Sequence, residues 1–158
     1  MGYGHVQNGL ATTDESTWFL TGVQMEVGEV ATPFEHESYA DNLARCQRYY
    51  YRIAPSGSWT KFADGMTRTT TDAVVFVENP VEMRVVPSLG TTGTASNYGL
   101  FHANTTTTSS AVPAIDAQGT VKMSGLNCAA SSGLTAGRGM VLVANNSAST
   151  YLEFISEL

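Results

Sequence analysis

Ala73-Val74-Val75-Phe76-Val77-Glu78-Asn79-Pro80-Val81-Glu82-Met83-Arg84-Val85 decides the fold class. Its first five residues are an apolar run, β-branched and aromatic, the mark of a buried strand. Asn79-Pro80 interrupts it. Residues 81–85 then alternate apolar and polar, a second strand by its period of two, and Pro87 ends it. Outward from this stretch the same rhythm recurs. Residues 49–53 are aromatic and stop at Pro55-Ser56-Gly57, and residues 58–63 carry Trp59 and Phe62 and stop at the turn signal Asp64-Gly65. Residues 67–77 alternate loosely before the apolar run, and residues 94–103 hold Tyr98, Leu100 and Phe101. Residues 105–110 are a polar low-complexity run, and residues 112–123 and 126–128 are weaker strands. Met140-Val141-Leu142-Val143-Ala144 and Tyr151-Leu152-Glu153-Phe154-Ile155 close the chain around Asn145-Asn146-Ser147-Ala148-Ser149, which reads as a hairpin turn.

Short strands at roughly 8–12-residue spacing, joined by Gly, Pro and Asn, predict an all-β fold. The expected form is a two-sheet antiparallel β-sandwich of jelly-roll type. Residues 49–158 supply it. One short helix precedes it, over 37–48, with acids before bases and a narrow apolar stripe of Tyr39, Leu43 and Cys46. Ser38 is its candidate cap. Residues 1–36 form an arm, loop-like at first. Gly22-Val23-Gln24-Met25-Glu26-Val27 alternates within a predicted strand over 17–27. No hairpin partner lies near it, so it is expected to pair at a distance, or with another chain.

Composition agrees and excludes several functions. The chain has 158 residues, 42% hydrophobic, with only 14% charged and 15 glycines. Its mean hydropathy is −0.07, enough apolar material for one core. Its net charge of −6, with Lys61 and Lys122 the only lysines, argues against nucleic-acid binding. No apolar run reaches the roughly 20 residues of a membrane helix. Met1-Gly2-Tyr3-Gly4-His5 has neither a basic n-region nor an apolar h-region, so no secretory signal is expected. Cys46 and Cys128 are then expected to be free thiols in a reducing compartment, and the sequons at Asn104 and Asn145 only polar turns.

No enzymatic motif emerges. Glu35-His36-Glu37 places three ligand types on consecutive positions, which point about 100° apart on a helix and do not converge on one ion. His5 and His102 have no companion at ligand spacing, and Gly137-Arg138-Gly139 is a turn. Nucleophile-elbow, phosphate-loop and Cys-x-x-Cys patterns are missing. Asp64, Asp72 and Asp116 are single acids, left open as a spatial pair of glycosidase type. No catalytic residue, metal or cofactor is expected. Trp59 and Tyr98 (with Tyr3) are candidate glycan contacts, with Trp59 capping the core as the alternative. In Tyr49-Tyr50-Tyr51 alternate residues face opposite ways. With Tyr50 inward, Tyr49 and Tyr51 need a second apolar surface, the helix or, preferably, a neighbouring subunit.

Leu20-Thr21-Gly22-Val23-Gln24-Met25-Glu26-Val27-Gly28, then Ala31-Thr32-Pro33-Phe34-Glu35, resembles a signature common in tail-fibre and other virion proteins of bacteriophages. So does Ser38-Tyr39-Ala40-Asp41-Asn42-Leu43-Ala44-Arg45-Cys46-Gln47-Arg48-Tyr49-Tyr50-Tyr51. Val81-Glu82-Met83-Arg84 with Pro87 is similar to a later stretch of the same family. The resemblance covers about residues 18–52 and 81–87. It implies that the first signature is the last strand of a jelly roll like a carbohydrate-binding module. It implies, too, that Cys46-Gln47-Arg48-Tyr49-Tyr50 opens a trimerising β-sandwich. The sequence starts only about 17 residues before that strand, so a departure from the family, the preceding jelly roll missing, is expected.

The resulting expectation is a non-enzymatic phage structural protein located on the virion after assembly in the host cytoplasm. It would be a homotrimer, as a tail- or head-fibre tip or a capsid decoration (cement) protein. Its trimer interface is expected at Leu43, Cys46, Tyr49 and Tyr51. Residues 1–36 would contact other virion proteins. Neither nucleic-acid binding nor membrane insertion is expected. The alternative is a glycan-binding module for host recognition and adhesion.

Overall fold

The computed structural model describes residues 23–25, 27–30, 32, 33 and 37–157. The chain divides into two compact units, Met1–Glu37 and Ser38–Leu158. In the first, none of the described residues is in a strand, so Val23, Gln24, Met25 and Val27 do not form the ladder their alternation predicts. The rest of that predicted strand lies outside the described residues. Alternation selects a face, but a ladder also needs an edge to pair with. Val23, Met25, Val27 and Val30 are exposed, and the Gln24 side-chain amide donates to Thr32 Oγ1 at 3.1 Å.

The second unit is an all-β sandwich with one short helix, α1, at Tyr39–Gln47. Ser38 caps it: its hydroxyl accepts from the Asp41 backbone N–H at 3.1 Å and donates to the Asp41 carboxylate at 2.6 Å. The cap and its aspartate fix the start at Tyr39, with Asp41 in the first turn and Arg45 in the last, as the helix dipole favours.

Ten antiparallel strands follow: β1 Tyr50–Ile53, β2 Lys61–Thr67, β3 Asp72–Glu78, β4 Ser88–Thr91, β5 Tyr98–His102, β6 Thr105–Thr108, β7 Ala114–Ile115, β8 Met123–Ala129, β9 Gly139–Ala144 and β10 Leu152–Ile155. The larger sheet has seven strands in the order β6-β5-β9-β2-β3-β8-β7, and the smaller has the order β1-β10-β4. Ala73, Val75 and Val77 of β3, Leu126 and Cys128 of β8, Leu100 of β5 and Leu142 of β9 form the larger sheet's share of the core. Leu152 and Phe154 of β10 supply the smaller sheet's share, both fully buried.

Four local expectations are corrected. Asp64-Gly65 is not a turn; β2 runs through it. Gly65 pairs with Val75, and a Cβ there would overlap the Val74 carbonyl oxygen and lie 2.8 Å from Val75 Cα. The glycine permits close strand approach, and the turn comes at Arg68–Thr71, where Arg68 and Thr69 N–H both donate to the Asp72 carbonyl at 2.8 and 3.1 Å. Residues 81–85 are not a strand either. The Met83, Arg84 and Val85 N–H groups go to three different partners, the Val121 and Arg48 carbonyls and Ser156 Oγ, at 2.9, 2.9 and 2.8 Å. With prolines at 80 and 87 on either side, the segment is pinned as a loop around buried Met83.

The threonine run is a strand, β6, closed onto β5 by the two-residue turn Ala103-Asn104, both at positive φ (46° and 61°). Residues 145–149 are not a hairpin, because β9 and β10 lie in different sheets. This crossover is anchored by Asn145, whose N–H and side-chain amide donate to the Asn97 and Ser96 carbonyls at 2.7 and 2.9 Å.

Candidate functional site: an uncovered helix stripe and two sheet-face grooves

The nine residues of α1 include none that is buried, and its apolar stripe stands open: Tyr39 is 82% and Leu43 40% exposed, and Cys46 is exposed. A nine-residue helix is marginal in water by itself, and tertiary packing supplies most helical stability in proteins. Tyr49, just past the helix, is also exposed, with the Arg84 guanidinium 6.0 Å from its ring centre. Leu43, Cys46 and Tyr49 are therefore all surface groups. Beside them lies a cleft of about 460 Å³ lined by Asp41, Ala44, Arg45, Arg48, Val81 and Glu82.

Tyr51 does not belong to this surface. The alternation of β1 runs opposite to the expected sense: Tyr51 and Ile53 turn inward and Tyr50 outward. The Tyr51 ring stacks on Phe154 with centroids 6.1 Å apart and planes at 21°. Tyr50 donates its hydroxyl to Glu153 Oε1 at 2.8 Å, and that hydrogen bond to a carboxylate raises the phenol above its ordinary pKa of 10.0. The register Tyr51↔Phe154 decides the sense, because Phe154 must face the core.

The two glycan candidates separate completely. Tyr98 is fully buried between the sheets, out of reach of any ligand. Trp59 is 52% exposed and does not cap the core. With Lys61, Phe101, Thr106 and Val143 it lines a groove of about 290 Å³ on the outer face of the seven-stranded sheet. A second groove on that face, about 260 Å³, exposes Phe76 and Met123 beside Arg68, Asp116 and Gln118.

Asp72 and Asp116 are brought together, but through an arginine. Arg68 Nε lies 2.7 Å from Asp72 Oδ2, and Arg68 Nη1 lies 4.0 Å from Asp116 Oδ2. Arg68 Nη2 donates to Asn127 Oδ1 at 2.5 Å. The guanidinium is the cation that the two carboxylates share. Asp64 lies apart on β2.

Among the described residues, no three His, Cys, Asp or Glu side chains gather as metal ligands, and no helix is long and apolar enough to cross a membrane. Glu35 and His36 lie outside the described residues. Buried His102 bonds Thr107 Oγ1 through Nε2 at 3.0 Å and leaves Nδ1 without a partner.

Met66, Phe76 and Met123, each about half exposed on the sheet's outer face, escaped the sequence reading. The signal for Phe76 was present in the unbroken apolar run of β3, which puts Val74 and Phe76 on the face opposite the core. Charge is also unevenly spread. Asp14, Glu15, Glu26, Glu29, Glu35 and Glu37 fall in residues 1–37 without one Lys or Arg, whereas residues 38–158 balance eight acids against eight bases. The entire net charge belongs to residues 1–37. No family model, curated protein or solved structure matches the chain.

Proposed function

We propose that this chain is a non-enzymatic structural protein of a bacteriophage particle, a homotrimer serving as a fibre tip or a capsid-decorating protein. The observation that carries the reading is the uncovered stripe of Tyr39, Leu43 and Cys46 on a capped helix with no fully buried residue. Three such stripes meeting at a three-fold axis cover one another and stabilise helices that are marginal alone. The signature-like stretches at 18–52 and 81–87 point the same way. Residues 1–37, which hold all of the net charge of −6, suit docking on a basic face of another virion protein.

The test is the solution mass of the purified chain by light scattering across a dilution series. A mass three times 16.8 kDa that survives dilution is expected. A monomer at every concentration overturns the reading.

A second reading, adhesion to host surface glycans, is favoured by one observation: Trp59 holds an aromatic ring half exposed over a groove. A trimer multiplies weak single-site affinities, so the two readings are compatible.

A further inference from the structure

We infer that the groove beneath Trp59 binds an acidic saccharide, a pyranose ring carrying a carboxylate. The inference rests on the adhesion reading and adds to it the residues and the ligand's charge.

The groove is built from four strands and one loop. Phe101 of β5 pairs with Thr106 of β6, Lys61 of β2 pairs with Val143 of β9, and Trp59 arches over them from the loop before β2. Gly99 shapes the floor. It stands opposite Val143, and a Cβ there would lie 2.7 Å from Thr106 Cγ2 and 3.1 Å from Val143 Cγ2. Any other residue would push these two groups apart.

Trp59 sits at φ 67°, a left-handed conformation that bulky residues avoid. The surrounding backbone holds it there. Trp59 N–H donates to the Ala144 carbonyl at 2.8 Å, Ala144 N–H returns a bond to the Thr60 carbonyl at 2.8 Å, and Thr60 Oγ1 donates to the Gly57 carbonyl at 2.8 Å. Strain retained with the indole half in water is unlike a packing residue and typical of a ligand clamp.

The polar groups select the ligand. Trp59 and Phe101 give aromatic faces on which the C–H side of a sugar ring stacks. Thr106 adds a hydroxyl. Lys61 is the one charged side chain among the groove's lining residues and makes no ion pair with a described residue. A purely apolar guest, or a neutral sugar, would strip water from the Lys61 ammonium and give nothing back. A ring carboxylate supplies the missing partner. A lone lysine does not make a polyphosphate site, and residues 38–158 carry no basic excess to attract nucleic acid.

The experiment is saturation-transfer NMR on the full chain with paired probes. These are the methyl glycosides of glucuronic and galacturonic acid and of N-acetylneuraminic acid, set against methyl glucoside and methyl galactoside. At least one acid is expected to bind about fivefold tighter than its neutral counterpart, and the gap should close at about 0.5 M salt. Lys61→Gln should reduce the acid to the neutral level. Trp59→Ala and Phe101→Ala should each weaken both by about tenfold, with Trp59→Phe restoring most of the loss. Unchanged circular dichroism separates these losses from misfolding.

Equal binding of acidic and neutral sugars that still depends on Trp59 overturns the acidic class and leaves adhesion standing. Binding indifferent to Trp59, Phe101 and Lys61 overturns the site. No transfer to any probe from the folded chain overturns both.

Discussion

The Tyr98 hydroxyl donates to the Tyr151 carbonyl at 2.6 Å and so ties the large sheet to the small one. Tyr98 opens β5, and Tyr151 directly precedes β10. The same phenol oxygen accepts from the Thr92 N–H and hydroxyl, each at 3.2 Å, just after β4. A ring that reads as a sugar platform in sequence is a buried three-way junction. Tyr98→Phe keeps the ring's packing and leaves a part-buried carbonyl and amide without their partner. The expected cost is about 1–3 kcal/mol by urea denaturation. Sugar binding in the folded variant should not change.

Tyr51 and Tyr49 should part company. Tyr51→Ala removes a ring stacked on Phe154 and should cost about 2–4 kcal/mol of fold stability. Tyr49→Ala removes an exposed ring and should cost at most about 0.5 kcal/mol, while weakening the proposed trimer. Denaturation and sedimentation equilibrium on both variants decide the point. A Tyr49→Ala trimer as tight as wild type would take Tyr49 out of the interface.

Leu43→Glu tests the helix stripe directly. Leu43 is 40% exposed within one chain, so a carboxylate there is tolerated by the monomer. At a three-fold axis three carboxylates would meet without partners, and each desolvated charge is costly. The expected outcome is a folded monomer of 16.8 kDa by light scattering. A persistent trimer would put the interface elsewhere, with the apolar outer face of the large sheet the first alternative.

The class of fold was legible because period-two alternation and Gly/Pro punctuation are local. Helix α1 was legible too, since Ser38, the acids and the bases lie within one short segment. Strand pairing was not, because it depends on contacts distant in sequence. Asn145-Asn146-Ser147 has hairpin chemistry, yet β10 leaves for the other sheet, where Leu152 and Phe154 complete the core. The sense of β1 was misread for the same reason: three consecutive tyrosines carry no label for inside, and only the register with Phe154 supplies one. Of the binding candidates, Trp59 was legible as an aromatic in a loop. Phe101, Thr106 and Lys61 join it only through the β6-β5-β9-β2 order.

Gly65→Ala should be among the most damaging single-methyl changes in the chain. The added carbon would overlap the Val74 carbonyl oxygen on the neighbouring strand. Backbone in a sheet interior cannot move aside as a flexible side chain can. A loss of about 3 kcal/mol or more is expected in thermal or urea unfolding. Gly139→Ala is the control, since a Cβ there meets nothing within 4 Å.

The two cysteines report on different levels of structure. Cys128 is fully buried in the core, and desolvation pushes its thiol up to about 12 from 9.0, with the Asp72 charge adding to the shift. At pH 8 a disulfide reagent should therefore label only Cys46 in the folded chain, and both thiols after unfolding. The raised value also has a stability consequence. The folded state holds the Cys128 proton more tightly than the unfolded state does. This contribution is complete below about pH 9 and is lost as the pH rises toward about 12. Cys128→Ala should lower stability at neutral pH by leaving a cavity, while flattening its decline at alkaline pH. Cys46 gives the second readout. Exposed in the single chain, it should react quickly in Leu43→Glu and, under the proposed trimer, more slowly in wild type, where two neighbouring helices would cover it. Equal labelling rates in the two proteins would mean that Cys46 faces water in the assembly, and the helix stripe would then not lie on the three-fold axis.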